Sequence, residues 1–153
     1  MPPEDSLLEA REGTFARGVS EYADARPGME EPLARIYIPF QPAGTDIWHL
    51  ALVDTGGHFF IPSPEVLAAI RERLTDSFDR TSLMTARGRI HGELYRHQLA
   101  LISITGEDLD VDATVFVSPE WDGPSVFGYT GMLERIRFAV DPATNLFYFG
   151  PRP

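Results

Sequence analysis

Residues 51–70 read ALVDTGGHFFIPSPEVLAAI. An apolar run reaches an acid at Asp54, and two glycines and then, after His58, two phenylalanines follow. A carboxylate at a strand end can accept hydrogen bonds from the N–H groups of a following tight turn, and such bonds favour its charged form. Glycine lets a backbone approach closely and adopt conformations denied to other residues. Thr55 adds a hydroxyl that can lock the turn. The pattern describes a rigid, partly buried acid on the floor of a cleft. Asp-Thr-Gly is also an ordinary turn, so the flanking sequence decides between the two.

Upstream, ARIYIPF (34–40) and IWHLALVD (47–54) read as strands joined through the turn chemistry of QPAGTD (41–46). Downstream, Ser63 can cap a helix, Pro64 suits its first position and Glu65 favours its positive end. Val66, Leu67, Ile70 and Leu74 then recur at helical spacing, so the helix should run to about Leu74. RTSLMTARGRIHGELYRHQLALISI (80–104) contains two strand-like halves around Gly88 and Gly92, a hairpin with a glycine-bearing tip. LDVDATVFVS (109–118) alternates apolar residues with Asp110, Asp112 and Thr114, so one face is wet. SVFG (125–128), a short helical turn at GMLERI (131–136), and a hairpin of RFAVD (137–141) and NLFYFG (145–150) complete the chain.

The chain has 153 residues, 43% of them hydrophobic, which fits one domain with a real core. Its 13 Gly and 13 Pro, with short β-rich runs between them, favour strands and turns over a helical bundle. The net charge is −10, there is no Lys, and the 13 Arg are scattered. A nucleic-acid backbone needs clustered cations, so nucleic acid is not an expected partner. Without Cys there are no disulfides, thiol catalysis or cysteine metal sites, and without Lys there is no Schiff-base chemistry. Arg without Lys is associated with GC-rich, bacterial genomes. MPPEDSLLEAREG lacks an apolar signal region and no run approaches 18 apolar residues. The expected location is the cytoplasm, with no membrane partner.

Other constellations are weaker. His49, His58, His91 and His97 lack metal-motif spacing. His58, four residues from Asp54, carries a small extra weight, though packing or solvent is its ordinary use. Asp108, Asp110 and Asp112 resemble the start of a calcium loop, but Ala113 stands where its glycine belongs and Pro119 where its glutamate belongs. No Gly-x-Ser-x-Gly or phosphate loop occurs. No metal or cofactor is expected.

Residues 33–150 resemble the retropepsin-like aspartic proteases, the single-domain viral enzymes and their cellular and bacterial relatives. LALVDTGG matches the strand and signature, with Gly57 at the small position usually held by Ala or Ser. FFIP and the following helix, the hairpin around RGRIHG where the family has its flap, and Val126-Phe127-Gly128 at its apolar-apolar-Gly motif follow in order. Phe127 is bulkier than the family's usual aliphatic residue, and Arg87, Arg89 and His91 make a more charged flap. The resemblance implies a mainly β, closed barrel-like acid-protease fold with a flap hairpin and one or two short helices. It implies that Asp54 is catalytic, that Thr55, Gly56, Gly57 and Gly128 support the active loop, and that Arg87, Gly88, Arg89, Ile90, His91 and Gly92 belong to the flap, roughly 85–95, which closes over a peptide.

The family's mechanism needs two aspartates, and no second Asp-Thr/Ser-Gly occurs in this chain. The resemblance therefore implies a homodimer with one Asp54 from each subunit, an arrangement that two-fold symmetry can supply. The apolar C-terminal strand Leu146–Phe149 would interleave at that interface. Residues 1–32, poor in large apolar residues, are read as a partly ordered arm, with a short helix from Asp5 and with a prosegment or a swapped strand as the sharper alternatives; the domain then spans 33–153. A dimerising or peptide-binding module on the same fold is the rival to an endopeptidase.

Overall fold

Leu109–Val117 shows how the pattern builds the fold. Leu109, Val111, Ala113 and Val115 are buried while Asp110 and Asp112 face water, but Thr114, expected on the wet face, is buried, as is Phe116, so the strand is one-sided over its first half and covered on both faces over its second. The computed structural model describes residues 9–10, 13–24 and 35–153. In chain order the strands are β1 (Glu9–Ala10), β2 (Gly13–Thr14), β3 (Gly18–Glu21), β4 (Tyr37–Pro42), β5 (His49–His58), β6 (Phe60–Ile61), β7 (Asp79–Thr85), β8 (Gly88–Leu101), β9 (Thr105–Gly106), β10 (Leu109–Val117), β11 (Ser125–Thr130), β12 (Ile136–Asp141) and β13 (Leu146–Pro151).

The larger sheet has the order β10-β6-β11-β5-β4-β8-β7. β10 also pairs with β8, so six strands close into a barrel and β7 hangs from β8 as the outer arm of a hairpin. Closure pairs the edges of those six strands and leaves β7 as the outer strand. Most neighbours are antiparallel, but β11 runs parallel to β5 and β10 to β6. Phe40, Phe60 and Phe127, all fully buried, meet at ring-centroid distances of 5.1–5.6 Å in the barrel interior. A second apolar cluster, Ile61, Ile90, Leu94, Phe116 and Val126, joins the hairpin root to the barrel.

The one α-helix among the described residues is α1 (Pro64–Ile70). Ser63 caps it, its hydroxyl oxygen accepting from Val66 N–H at 3.2 Å, and Val66 and Ile70 are buried. The expected continuation to Leu74 tightens instead into a 3-10 turn, Arg71–Arg73. GMLERI likewise holds a 3-10 turn, Leu133–Arg135.

A second sheet has the order β12-β13-β3-β9. Part of the N-terminal segment joins this sheet: β3 pairs with β13 from Gly18↔Phe149 to Glu21↔Leu146, and Ser20 and Tyr22 are buried. Glu9–Ala10 is a strand where a short helix was expected; Asp5 to Leu8 and the boundary at 32–33 lie outside the described residues. β13 also has both edges filled within its own chain, by β12 and β3, so it offers no edge to interleave with a partner.

Candidate active site

β5 brings Asp54 to its position through a register mismatch. Its parallel pairing with β11 runs from Ala51↔Ser125 to Asp54↔Gly128 and resumes at His58↔Thr130. β5 spends Thr55, Gly56 and Gly57 across a gap that β11 crosses with Tyr129. The surplus bulges outward, leaving Asp54, Thr55, Gly56 and His58 exposed.

The Gly56 N–H donates to Asp54 Oδ1 at 3.1 Å. The expected tight turn is replaced by this extended bulge. Neither Gly56 nor Gly57 has a positive φ; the absence of a side chain matters through space. A Cβ on Gly57 would lie 2.9 Å from Asp54 Oδ2, whereas one on Gly56 would make ordinary contact with Oδ1 at 3.6 Å. In the single chain Asp54 is exposed rather than partly buried.

β11 braces the segment from behind. Gly128 is buried, and a Cβ there would collide with the His58 carbonyl carbon and lie 2.6 Å from its nitrogen. The Gly128 N–H donates to Phe59 O at 2.8 Å, and the Phe59 N–H to Thr130 O at 2.7 Å. Phe59 has φ 64°, the left-handed region that an aromatic residue adopts only under constraint. His58 Nδ1 lies 3.0 Å from Thr130 Oγ1. Phe59 and Thr130 were not singled out from the sequence.

The six expected flap residues have different environments. β7 and β8 pair from Asp79↔Leu94 to Thr85↔Gly88 around the two-residue tip Ala86-Arg87, and Gly88 takes φ 113°. Arg87 reaches Asp122 at 2.8 Å, Arg89 Nη1 donates to Ser82 Oγ at 2.8 Å, and Ile90 is buried in the second apolar cluster. The His91 N–H donates to Glu120 Oε1 at 3.0 Å. Gly92 is inside β8 rather than at the tip: its Cβ would collide with Val117 O and approach the Phe116 ring to 2.8 Å. Leu52, Phe59, Leu83 and Trp121 pack against the same cluster, so the hairpin's apolar side meets the flanks of the Asp54 segment.

Among the described residues no group of three or more His, Cys, Asp or Glu is placed to hold a metal ion. No described helix is long and apolar enough to cross a membrane.

No protein-family model and no curated protein matches the chain. Its structure is similar to the crystal structure of a retropepsin-like aspartic protease from Rickettsia conorii, with a TM-score of 0.52 and 19% identity, covering 86% of this chain and 98% of that one. The fold is therefore of the retropepsin-like kind.

Proposed function

We propose that the protein is an aspartic endopeptidase that works as a homodimer, with Asp54 and its two-fold mate as the catalytic pair. The observation that carries this is the exposed Asp54 on its bulge, oriented by Gly56 N–H and backed by the side-chain-free Gly128. A binding module has no use for a carboxylate held in this way. One chain supplies one such acid, so the site is completed by a second copy meeting it at Asp54–Gly56, with the half-exposed Tyr129 alongside.

Two carboxylates about 3 Å apart share one proton. The ionised member takes a proton from water as that water attacks the scissile carbonyl carbon. The protonated member donates its proton to the carbonyl oxygen. The product is a neutral tetrahedral diol, with the proton count on the pair restored and no covalent intermediate. Collapse returns a proton to the leaving nitrogen. Thr55 of each subunit would tie the two loops, and the β7–β8 hairpin would cover an extended peptide and exclude water.

The test incubates wild type and Asp54→Asn with a peptide library at several values between about pH 4 and 7, so that the optimum for acid–base catalysis is sampled. Cleavage by wild type that is lost in the variant supports the proposal. Absence of cleavage by a protein shown to be dimeric overturns it in favour of the dimerising or peptide-binding module.

A further inference from the structure

The distal hairpin is attached differently from the rest of the barrel. β8 pairs with β10 as far as Glu93↔Val117, and beyond that point Gly88–Gly92 pair with β7 alone among the described strands. Five strand residues extend about 16 Å. The hairpin leaves the barrel at Gly92, where the missing side chain lets it pass close over Val117 O.

Beyond this point two attachments to carboxylates reach the segment between β10 and β11. Arg87 Nη1 donates to both carboxylate oxygens of Asp122, at 2.8 and 3.0 Å. Glu120 Oε1 accepts from the His91 N–H at 3.0 Å and lies 3.4 Å from His91 Nδ1. Neighbouring charges are engaged elsewhere: Arg89 donates to Ser82 and Arg80 pairs with Glu93.

The segment that carries the two acids is braced before the hairpin arrives. Ser118 Oγ accepts from Glu120 N–H at 3.2 Å, Ser118 O from Trp121 N–H at 3.3 Å, and Pro124 O from the Trp121 indole N–H at 3.0 Å. A Cβ on Gly123 would lie 2.6 Å from the Trp121 ring, so that glycine makes room for the indole. Asp122 and Glu120 are acceptors on a preformed support.

We propose that Arg87–Asp122 and His91–Glu120 form a latch that holds the distal hairpin against its own subunit's 118–124 segment, and that the hairpin opens for a ligand by breaking both and drawing Ile90 out of the second apolar cluster. All four side chains are substantially exposed. Exposed pairs are weak and screened by salt, which suits an attachment that must break and re-form. Under the endopeptidase proposal the latch sets how often the cleft opens, but the latch itself needs no hydrolysis.

Hydrogen exchange of the amides of residues 83–92 tests it in wild type, Arg87→Gln, Asp122→Asn and the swapped double variant Arg87→Asp/Asp122→Arg. Each single variant should speed exchange about twofold to fivefold, and about 0.5 M salt should do the same to wild type. The swap should restore slow exchange, with β4 and β10 unchanged throughout. Exchange that does not respond to the single variants or to salt overturns the latch, as does a swap that exchanges faster than either single variant. Loss of peptide cleavage would bear on the endopeptidase proposal and not on this one.

Discussion

Gly128 lies opposite Asp54 in the strand register, yet the space its missing side chain leaves is filled by the backbone of His58, whose nitrogen would lie 2.6 Å from a Cβ there. The position of the carboxylate thus depends on an absent methyl group on another strand. Gly128→Ala should push the Asp54–His58 segment outward and break the Gly128-to-Phe59 hydrogen bond. Overpacking of this kind costs about 1–3 kcal/mol. Denaturant midpoints should show that loss, and peptide cleavage should fall at least tenfold even where the variant is fully folded. Wild-type stability and activity in the variant would mean that the segment relaxes freely.

The N-terminal strand gives a second prediction. β3 fills an edge of β13, Ser20 is 1% exposed and Tyr22 is 8% exposed against the core. A removable prosegment should come away without unfolding what it covered. Deleting residues 1–24 should instead strip the β13 edge and abolish cooperative thermal unfolding. Tyr22→Ala, a milder change, should cost about 3 kcal/mol by analogy with other large-to-small core changes. A truncated chain that melts within a few degrees of the intact one would show that β3 is dispensable.

The parts of the fold that were legible in sequence were those encoded locally. The run into Asp54, the Ser63-Pro64 cap and the alternation over 109–113 each declare themselves within ten residues, whereas the burial of Thr114 does not, and the order of motifs placed Gly128 behind the signature. The misses share a long-range cause. Gly92 looked like part of a turn because glycine interrupts a strand pattern, but its role is a close approach to Val117, twenty-five residues on in the chain. Phe59 carries no local sign of its left-handed φ; β11 imposes it through Thr130 and Gly128. GVSE is a poor strand by composition and becomes one because β13 and β9 supply ladders on both sides. Glu120 and Asp122 belong to no motif, and their partners are 29 and 35 residues away.

Stability should depend on pH through His97. Burial holds its imidazole below the usual range, and Arg73 pushes in the same direction, against the Ala43 carbonyl 3.1 Å from Nε2. The unfolded chain therefore binds this proton more readily than the folded one. Stability from this group is complete above the ordinary imidazole value of about 6.5 and is lost as pH falls through the lowered folded value. His97→Gln should flatten that part of the profile. Urea midpoints at about pH 7.5 and 5 would check it. An equal acid-side loss in both proteins would assign the effect to other groups.

Arg135 and Arg96 both approach Asp112, but they should not be worth the same. Arg96 Nη2 donates to Asp112 Oδ2 at 2.6 Å on an exposed strand face, and this bond is the main cause holding the Asp112 carboxyl below the usual carboxylate range. That contribution is lost only as pH falls through the lowered value, and a pair so exposed is worth about 0.2–1 kcal/mol in a double-mutant cycle. Arg135 instead donates to the Asp112 backbone carbonyl and, at 2.9 Å, to the hydroxyl of the buried Thr114. It ties the 3-10 turn that follows β11 to β10, so its loss loosens the strand that braces the Asp54 segment. Arg135→Ala should cost about 1.5–3 kcal/mol, because charge-assisted bonds disappear and a buried hydroxyl is left without its donor. It should also lower peptide cleavage, whereas Arg96→Ala should not. Arg135→Lys should rescue little, since a single ammonium group lacks the planar fork that reaches both acceptors. Equal losses in the two alanine variants would show that Arg135 acts as another surface charge and not as the tie between β10 and the turn behind the site.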